Sequence, residues 1–348
     1  MKKISFATAI AFLMLLNGCM GIKYLTVETE EPAQVKLPKY IRSVLIVNNV
    51  VQQPDTIGHY ILKPGSLFPQ KSKASSDSIA IYYTEAMSQF LGEENYFSSV
   101  QYLTEPLRKD NDFEHESPIE PEQMKRLRAL SGKGGTDAII SLDKLNMETS
   151  KFERFEQEGY TYANLVAKIQ STIRVYLPTL EGKIPLIQYQ DSLVWEGFDI
   201  HDSKAISKYT IPTREEAMKE LAVHAAERMT NIFTPHWEKQ NRWYYTLSNS
   251  LMKEGEAFAN AMNWQQAAEK WEAYYKQESN KLKQAKAASN LALAYEMLSD
   301  LEKSHQWISI SYSLFEEVTR YNSIERKRAM LYKSEIERRK NNENRLSM

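Results

Sequence analysis

The chain has 348 residues, with 44 basic and 45 acidic side chains and a formal net charge of −1. With this balance of charges the protein has no overall positive electrostatic field, which argues against a protein that binds nucleic acid through its net charge. The chain is longer than most domains built on a single hydrophobic core, so we expect two domains. Cys19 is the only cysteine, which excludes an internal disulfide, zinc fingers, thiol redox motifs and cysteine-protease chemistry.

The N-terminus predicts export and a lipid anchor. Lys2 and Lys3 precede an apolar run over residues 4–16, the layout of a secretory signal. This run is too short to cross a bilayer, which needs roughly 20 residues. Leu-Asn-Gly-Cys at residues 16–19 then resembles the lipobox of bacterial lipoproteins. The resemblance implies a signal peptide over residues 1–18 and acylation of Cys19, and the alternative is a signal that ends near a cysteine by coincidence.

Residues 19–39 show little periodicity and predict a tether between the lipid and the first folded element. Residues 40–235 follow in the order strand, helix, strand, helix, three strands, helix. Val44–Val47 is a continuous apolar run, typical of a strand covered on both faces. Residues 165–177 alternate, which predicts a half-buried antiparallel strand with its odd positions inward. Thr213 and Glu216 form a capping box that opens the last helix.

This order resembles the α/β domain of envelope lipoproteins and periplasmic factors of the CsgG, TolB N-terminal and LpoB type. The resemblance implies a mixed β-sheet with flanking helices over residues 40–235, and it carries no activity. Two further helices are predicted before the late strands, one capped by Ser76 or Asp77 and one beginning at Pro118.

Residues 236–345 predict helices only. The first helical pair carries Gly255, Phe258, Ala267 and Trp271 at spacings that resemble the tetratricopeptide repeat, and Ala292 begins a second, degenerate unit 37 residues after Gly255. The fold class is therefore α+β, a mixed sheet followed by an all-α, tetratricopeptide-like region. A plain helical bundle is the alternative.

A lipobox, this α/β order and a terminal helical pair together resemble tetratricopeptide-containing lipoproteins of Bacteroidota, to which no activity is assigned. The resemblance implies a place in the cell envelope, lipid-anchored at the outer membrane and facing the periplasm rather than the cell surface.

No catalytic, cofactor or metal motif emerges from the residues. The Gly-rich segment Ser131–Thr136 follows a helix and precedes a strand, the reverse of a phosphate-binding loop, and is read as a helix end with a turn. The six histidines have no metal-ligand spacing, and His201-Asp202 is merely adjacent. We therefore predict no metal, no cofactor and no catalytic residue.

Aromatic residues cluster around the start of the helical region. They are read either as packing between elements or as a surface for a partner. Under the second reading, the predicted partner-binding residues are Trp243, Tyr244, Trp264, Trp271, Asn290 and Tyr295. The C-terminal residues 320–348 carry a basic excess, which indicates a solvated terminal helix or, alternatively, contact with anionic lipid or cell-wall polymer.

These features predict a non-enzymatic envelope adaptor, anchored to the bilayer through Cys19, whose helical repeats offer a concave groove to a protein partner. The alternative is a glycan-binding or hydrolytic accessory, which converging carboxylates with perturbed ionisation would favour. A CsgG-type pore is disfavoured because the hairpin tip predicted over Glu148–Tyr160 is rich in charge.

Overall fold

The computed structural model describes residues 21–63, 65–130, 136–157, 160–177, 186–199 and 211–347. These residues form two compact units. We call residues 33–234 the sheet unit, and residues 21–32 together with 235–347 the helical unit. The chain combines a mixed β-sheet with C-terminal helices, which confirms the predicted α+β class.

The described elements are numbered in chain order. The strands are β1 (Ile22–Glu31), β2 (Ser43–Asn48), β3 (His59–Leu62), β4 (Gln70–Lys71), β5 (Ser99–Leu103), β6 (Ala138–Gln157), β7 (Tyr160–Tyr176), β8 (Ile187–Asp199) and β9 (His236–Tyr245). The helices are α1 (Ile79–Glu93), α2 (Pro121–Leu130), α3 (Arg214–Phe233), α4 (Ser250–Asn260), α5 (Trp264–Gln277), α6 (Lys281–Met297), α7 (Leu301–Val318) and α8 (Ile324–Ser347).

Seven of the described strands form one mixed sheet in the sheet unit. β2 is parallel to β5 on one side and to the first part of β6 on the other. β3 is parallel to a later part of β6 and antiparallel to β4. β7 is antiparallel to β6, and β8 is antiparallel to β7. The long strand β6 therefore joins the parallel and antiparallel parts of the sheet.

β2 is covered on both faces, as predicted. Val44 and Ile46 belong to a core shared with α1 and α3, whereas Leu45 and Val47 belong to a second core shared with α2. A continuous apolar run is favourable here because neither face of the strand meets water.

β7 has the predicted alternation. Leu165, Ala167, Ile169 and Ile173 point inward and are at most 2% exposed. Burying a Leu or Ile side chain stabilises the fold by roughly 1.5–3 kcal/mol. Lys168 lies between them on the solvated face, so the period of two sets which face of the strand packs.

The capping box of α3 is confirmed. The Thr213 Oγ1 accepts from the Glu216 N–H at 3.2 Å, and the Thr213 N–H donates to Glu216 Oε2 at 2.8 Å. These two bonds satisfy donors that the helix start would otherwise leave unpaired.

Two predicted helix starts are wrong. α2 begins at Pro121 and not at Pro118, because a proline disfavours helical geometry in the residue before it, here Glu120. α1 has Ser78 as its N-cap, in the left-handed region with φ of 63° and no side-chain cap. Ser76 does not cap α1 because its hydroxyl donates to the Gln53 carbonyl at 3.0 Å.

The predicted hairpin tip over Glu148–Tyr160 is also corrected. β6 extends to Gln157, and β7 begins at Tyr160, so most of the predicted tip belongs to these two strands. Thr149 lies within β6 and is buried. Lys151 and Glu156 of this segment pair with Leu165 and Thr161 of β7.

In the helical unit each helix from α4 to α8 packs against the next, as short connections between antiparallel helices require. Gly255 lies directly against Trp271. A Cβ on Gly255 would be 2.4 Å from the indole Nε1, and Trp271 and Ala267 are 0% exposed. The predicted close approach of α4 and α5 is confirmed.

β1 and β9 form a two-stranded antiparallel ribbon, paired from Ile22↔Tyr245 to Glu31↔His236. Two predictions are thereby wrong: residues 22–31 of the predicted tether at 19–39 are a strand, and the region from residue 236 is not helical throughout. The sequence does not reveal the ribbon, because some of its buried side chains are polar, including Glu31 and Arg242. These side chains interrupt the apolar alternation that indicates a strand.

Candidate functional site

The ribbon lies along α4, α6 and α8 of the helical unit. Lys23 of β1 forms an ion pair with Glu256 of α4, and Arg328 of α8 donates to the Tyr24 hydroxyl at 3.0 Å. β9 packs on α6. We call the side of the helices that holds the ribbon the ribbon face.

Asn290 of α6 binds the main chain of β9 at Tyr245. Its Oδ1 accepts from the Tyr245 N–H at 2.6 Å, and its Nδ2 donates to the Tyr245 carbonyl at 2.8 Å. Asn290 is 0% exposed, so removal of either partner would leave a buried polar group unpaired. A side-chain amide bound to both main-chain groups of one residue recognises extended backbone whatever its side chain.

Glu296, also on α6, is the centre of a buried charge cluster. Arg242 of β9 donates to both carboxylate oxygens at 2.8–3.0 Å. Arg339 and Tyr332 of α8 donate to the same carboxylate. The Glu296 side chain is 0% exposed and that of Arg242 is 4% exposed. These donors fill the roughly four lone-pair positions of a carboxylate, so Glu296 has none left for a substrate or a metal ion.

Glu31, at the end of β1, is bound in the same manner. Arg338 and Asn342 of α8 donate to its carboxylate at 2.9 and 2.7 Å. Glu335 lies between the two groups and accepts from Arg338 at 2.8 Å and from Arg242 at 3.2 Å. Both strands of the ribbon are therefore tied to α8.

The cluster keeps its charges in balance, because carboxylates and guanidinium groups alternate through it. Burial opposes the charge of Arg242, but its bonds to Glu296 hold the Arg242 pKa above its usual value. Burial raises the pKa of Tyr332 well above its usual value, and the Glu296 carboxylate adds to this. Side chains whose pKa values lie so far above neutral pH suit a structural role better than general acid or base catalysis.

The predicted partner-binding residues divide by burial. Those at most 6% exposed are Tyr244, Trp264, Trp271 and Asn290, whereas Trp243 and Tyr295 are half-buried. Tyr244 donates to Asn260 at 2.7 Å, and its ring centroid is 5.8 Å from that of Trp271. The buried members of this group pack within the ribbon and the first helical pair. The ribbon face is therefore covered by the chain itself and is not the open groove that the sequence suggested.

A cavity of about 530 Å³ lies in the sheet unit at the carboxyl end of β2. The order β5–β2–β6 makes this a topological switch point, where α/β proteins bind ligands. Its polar lining includes Asn48, Gln53, Asp77, Arg108, Asp110 and Asn111. The Gln53 side-chain amide donates to the Met147 carbonyl and accepts from the Met147 N–H, both at 2.7 Å. Arg108 donates to Asp110 at 3.0 Å. Part of the lining is thus already bonded within the unit.

His59 of β3 is a buried titratable group that belongs to no sequence motif. It is 1% exposed, and its Nδ1 lies 2.9 Å from Thr149 Oγ1. Burial, and then the charge of Arg214, lower the His59 pKa below its usual 6.5. The folded sheet unit therefore holds His59 neutral at pH values where the unfolded chain protonates it.

We expect the sheet unit to lose stability as pH falls below 6.5, because the unfolded chain then binds a proton that the folded chain resists. At pH 5.5, one unit below the unfolded pKa, the loss from His59 can reach at most about 1.4 kcal/mol. His59→Asn retains an amide near Thr149 and cannot titrate, so its loss between pH 7.5 and 5.5 should be smaller. Urea unfolding of both proteins at the two pH values measures this. Equal losses would contradict the assignment.

Several predicted features lie outside the described residues: Cys19, the Gly-rich segment at Ser131–Gly135, and His201. Within the described ranges, no cluster of three or more His, Cys, Asp or Glu side chains has metal-holding geometry. None of the helices described is both long enough and apolar enough to span a bilayer.

Comparison with known proteins identifies families and no activity. A family model described as Domain of unknown function (DUF8603) matches residues 41–245, and one described as Domain of unknown function (DUF6340) matches residues 253–338. No curated protein matches the chain. A Helicobacter pylori structure, described as a neuraminyllactose-binding hemagglutinin homolog, aligns with 12% identity over 57% of this chain and 83% of that chain. Its TM-score of 0.26 does not establish a shared fold.

Proposed function

For a chain that belongs to the family described as Domain of unknown function (DUF8603), we propose a non-enzymatic role as a lipid-anchored interaction protein of the bacterial cell envelope. In this proposal Cys19 carries the lipid, and α4–α8 are tetratricopeptide-like repeats that dock a protein partner. The repeat assignment is supported by Gly255 against Trp271 and by Ser304, which is buried and donates to the Ala292 carbonyl at 2.8 Å.

The partner would dock on the side of the helices that the ribbon leaves uncovered. Support comes from an aromatic pair on α5 and α7, Tyr275 and Trp307, whose ring centroids are 5.1 Å apart in an edge-to-face arrangement. Both are half-buried, and Ile310, one turn from Trp307, is 37% exposed. Trp and Tyr anchors beside aliphatic side chains are the composition of interface hot spots. This pair is the observation that carries the proposal.

Photo-crosslinking in intact cells tests the docking surface. A photoreactive residue at Gln306, exposed on α7, should capture one discrete protein. Ile310→Asp places a charge in the proposed interface and should abolish that product. Leu331→Asp is the matched control, because it changes an aliphatic residue 62% exposed on α8 and should leave the yield unchanged. Equal yields from both variants would refute this surface.

The anchor has its own test. Cys19→Ala removes the acylated thiol, so the protein should leave the membrane fraction after a salt wash. Retention of the variant in that fraction would mean that something other than the lipid holds the chain.

A glycan-binding or hydrolytic accessory is the alternative function, and the cavity at the carboxyl end of β2 favours it. Asp77 and Asp110 line this cavity and would bind sugar hydroxyls. Calorimetry with soluble peptidoglycan fragments distinguishes the two proposals: saturable binding that Asp110→Asn weakens supports the alternative, and no heat of binding supports the adaptor.

A further inference from the structure

One end of the helical unit exposes several large apolar side chains. It consists of the connections before α6 and before α8, and we call it the proximal end. Its exposed members are Tyr321 at 83%, Ile324 at 57%, Val318 at 42% and Leu282 at 38%. Lys281 and Glu317 form an ion pair of 2.7 Å, which brings the first turn of α6 beside the last turn of α7. The four side chains therefore share one end of the unit.

The chain enters the helical unit at this same end. β1 runs parallel to α8, since Tyr24 contacts Arg328 and Glu31 contacts Arg338. The N-terminal ends of β1 and α8 therefore point in the same direction, and Gly21 lies toward the same end of the unit as Ile324. The Gly21 carbonyl accepts from the Thr246 N–H at 2.9 Å, which fixes the start of the ribbon there.

Cys19 stands two residues before Gly21, so its Cα lies at most about 7 Å from that of Gly21. A lipid on Cys19 would leave no long spacer between the bilayer and the ribbon. Residues 22–31 of the tether that the sequence suggested over residues 19–39 form β1. Whatever surface holds the lipid must therefore lie close to the proximal end.

The charge of the proximal end suits an anionic surface. Residues 278–286 and 316–328 contain seven basic side chains, Lys281, Lys283, Lys286, Arg320, Arg326, Lys327 and Arg328, and four acidic ones, Glu278, Glu316, Glu317 and Glu325. Basic residues beside exposed aromatic and aliphatic side chains are the composition of segments that lie at a membrane interface.

We propose that the proximal end rests on the lipid bilayer, with the side chains of Tyr321 and Ile324 in the headgroup region and the long axes of α6 and α8 leading away from the membrane. The inference depends on the proposed anchoring through Cys19. It adds a second, non-covalent contact that fixes the orientation of the helical unit.

Single introduced thiols test this orientation, because an acylated Cys19 leaves no other thiol in the chain. Tyr321→Cys labels the proximal end. Leu298→Cys is the matched control, since Leu298 is 37% exposed and lies 16 residues beyond Leu282, about 24 Å along α6. Each variant is purified in lipidated form, coupled to the fluorophore NBD and reconstituted into vesicles of phosphatidylethanolamine and phosphatidylglycerol. Aqueous dithionite then bleaches whichever labels water reaches.

We expect the label at residue 321 to bleach several-fold more slowly than the label at residue 298 in vesicles. Both labels should bleach equally fast without vesicles in unlipidated protein that carries Cys19→Ala, which removes the free thiol. If the protein floats with the vesicles but the two labels bleach at equal rates, the proposed orientation is wrong and the lipid anchor still stands. Protection at residue 321 without vesicles would indicate a second copy of the chain in place of lipid and would also overturn it. A lipidated chain that does not float with the vesicles would overturn the anchor itself.

Discussion

Arg242→Met should destabilise the helical unit by about 3–5 kcal/mol, because it leaves the Glu296 carboxylate buried without its main partner. Denaturant unfolding of the unlipidated Cys19→Ala protein, followed by tryptophan fluorescence and circular dichroism, measures the loss. Lys276→Met is the matched control. Lys276 pairs with Glu272 on the surface of the same unit, where its side chain is 69% exposed, so the effect should stay below about 1 kcal/mol.

A second variant separates charge from packing at the same site. Glu296→Gln combined with Arg242→Met removes both members of the buried ion pair and should recover part of the lost stability. If Arg242→Met alone costs no more than Lys276→Met, then the cluster does not hold the ribbon and this interpretation of the helical unit is wrong.

Gly255→Ala should destabilise the helical unit by about 1–3 kcal/mol through overpacking. The new Cβ would lie 2.4 Å from Trp271 Nε1 and 2.5 Å from Cδ1, so the indole, which is 0% exposed, would have to shift within a packed core. The change opposes the usual helix preference, by which alanine is favoured over glycine by about 0.5–1 kcal/mol. Thermal unfolding monitored by circular dichroism gives the difference.

Gly92→Ala is the internal control for this substitution. Gly92 also lies in a helix, and a Cβ there would meet nothing within 4 Å, so the variant should be neutral or slightly more stable. A Gly255→Ala protein that behaves like Gly92→Ala would show that Trp271 does not fill the space beside α4.

Elements with regular patterns could be predicted from the sequence. β2 and β7 carry apolar periods of the expected kind, and the capping box at Thr213 is local chemistry that needs no tertiary information. The small residue at Gly255 and the large one at Trp271 also indicated a close pair of helices. In each case the residues that decide the structure are near one another in sequence or follow a fixed period.

The ribbon could not be predicted in this way. Glu31 and Arg242 read as surface residues, and only contacts with Arg338 and Glu296, dozens to hundreds of residues away, make their burial favourable. The same long-range pairing changes the role of Asn290, which the sequence suggested as a contact for a partner and which binds the backbone of Tyr245. The sequence of an aromatic cluster does not show whether the cluster is exposed to a partner or buried under another segment of the same chain.

Amide hydrogen exchange tests most directly the claim that the chain's own ribbon occupies the ribbon face of the helices. In peptides covering residues 22–31 and 236–245, the amides bonded across the ribbon should exchange as slowly as those of a peptide from α6, in purified protein with no partner present. These amides open only when the helical unit unfolds. Asn290→Ala should accelerate exchange around Tyr245. Exchange of both ribbon peptides as fast as that of the exposed connection at residues 65–69 would contradict the account, since the ribbon face would then be open to a partner.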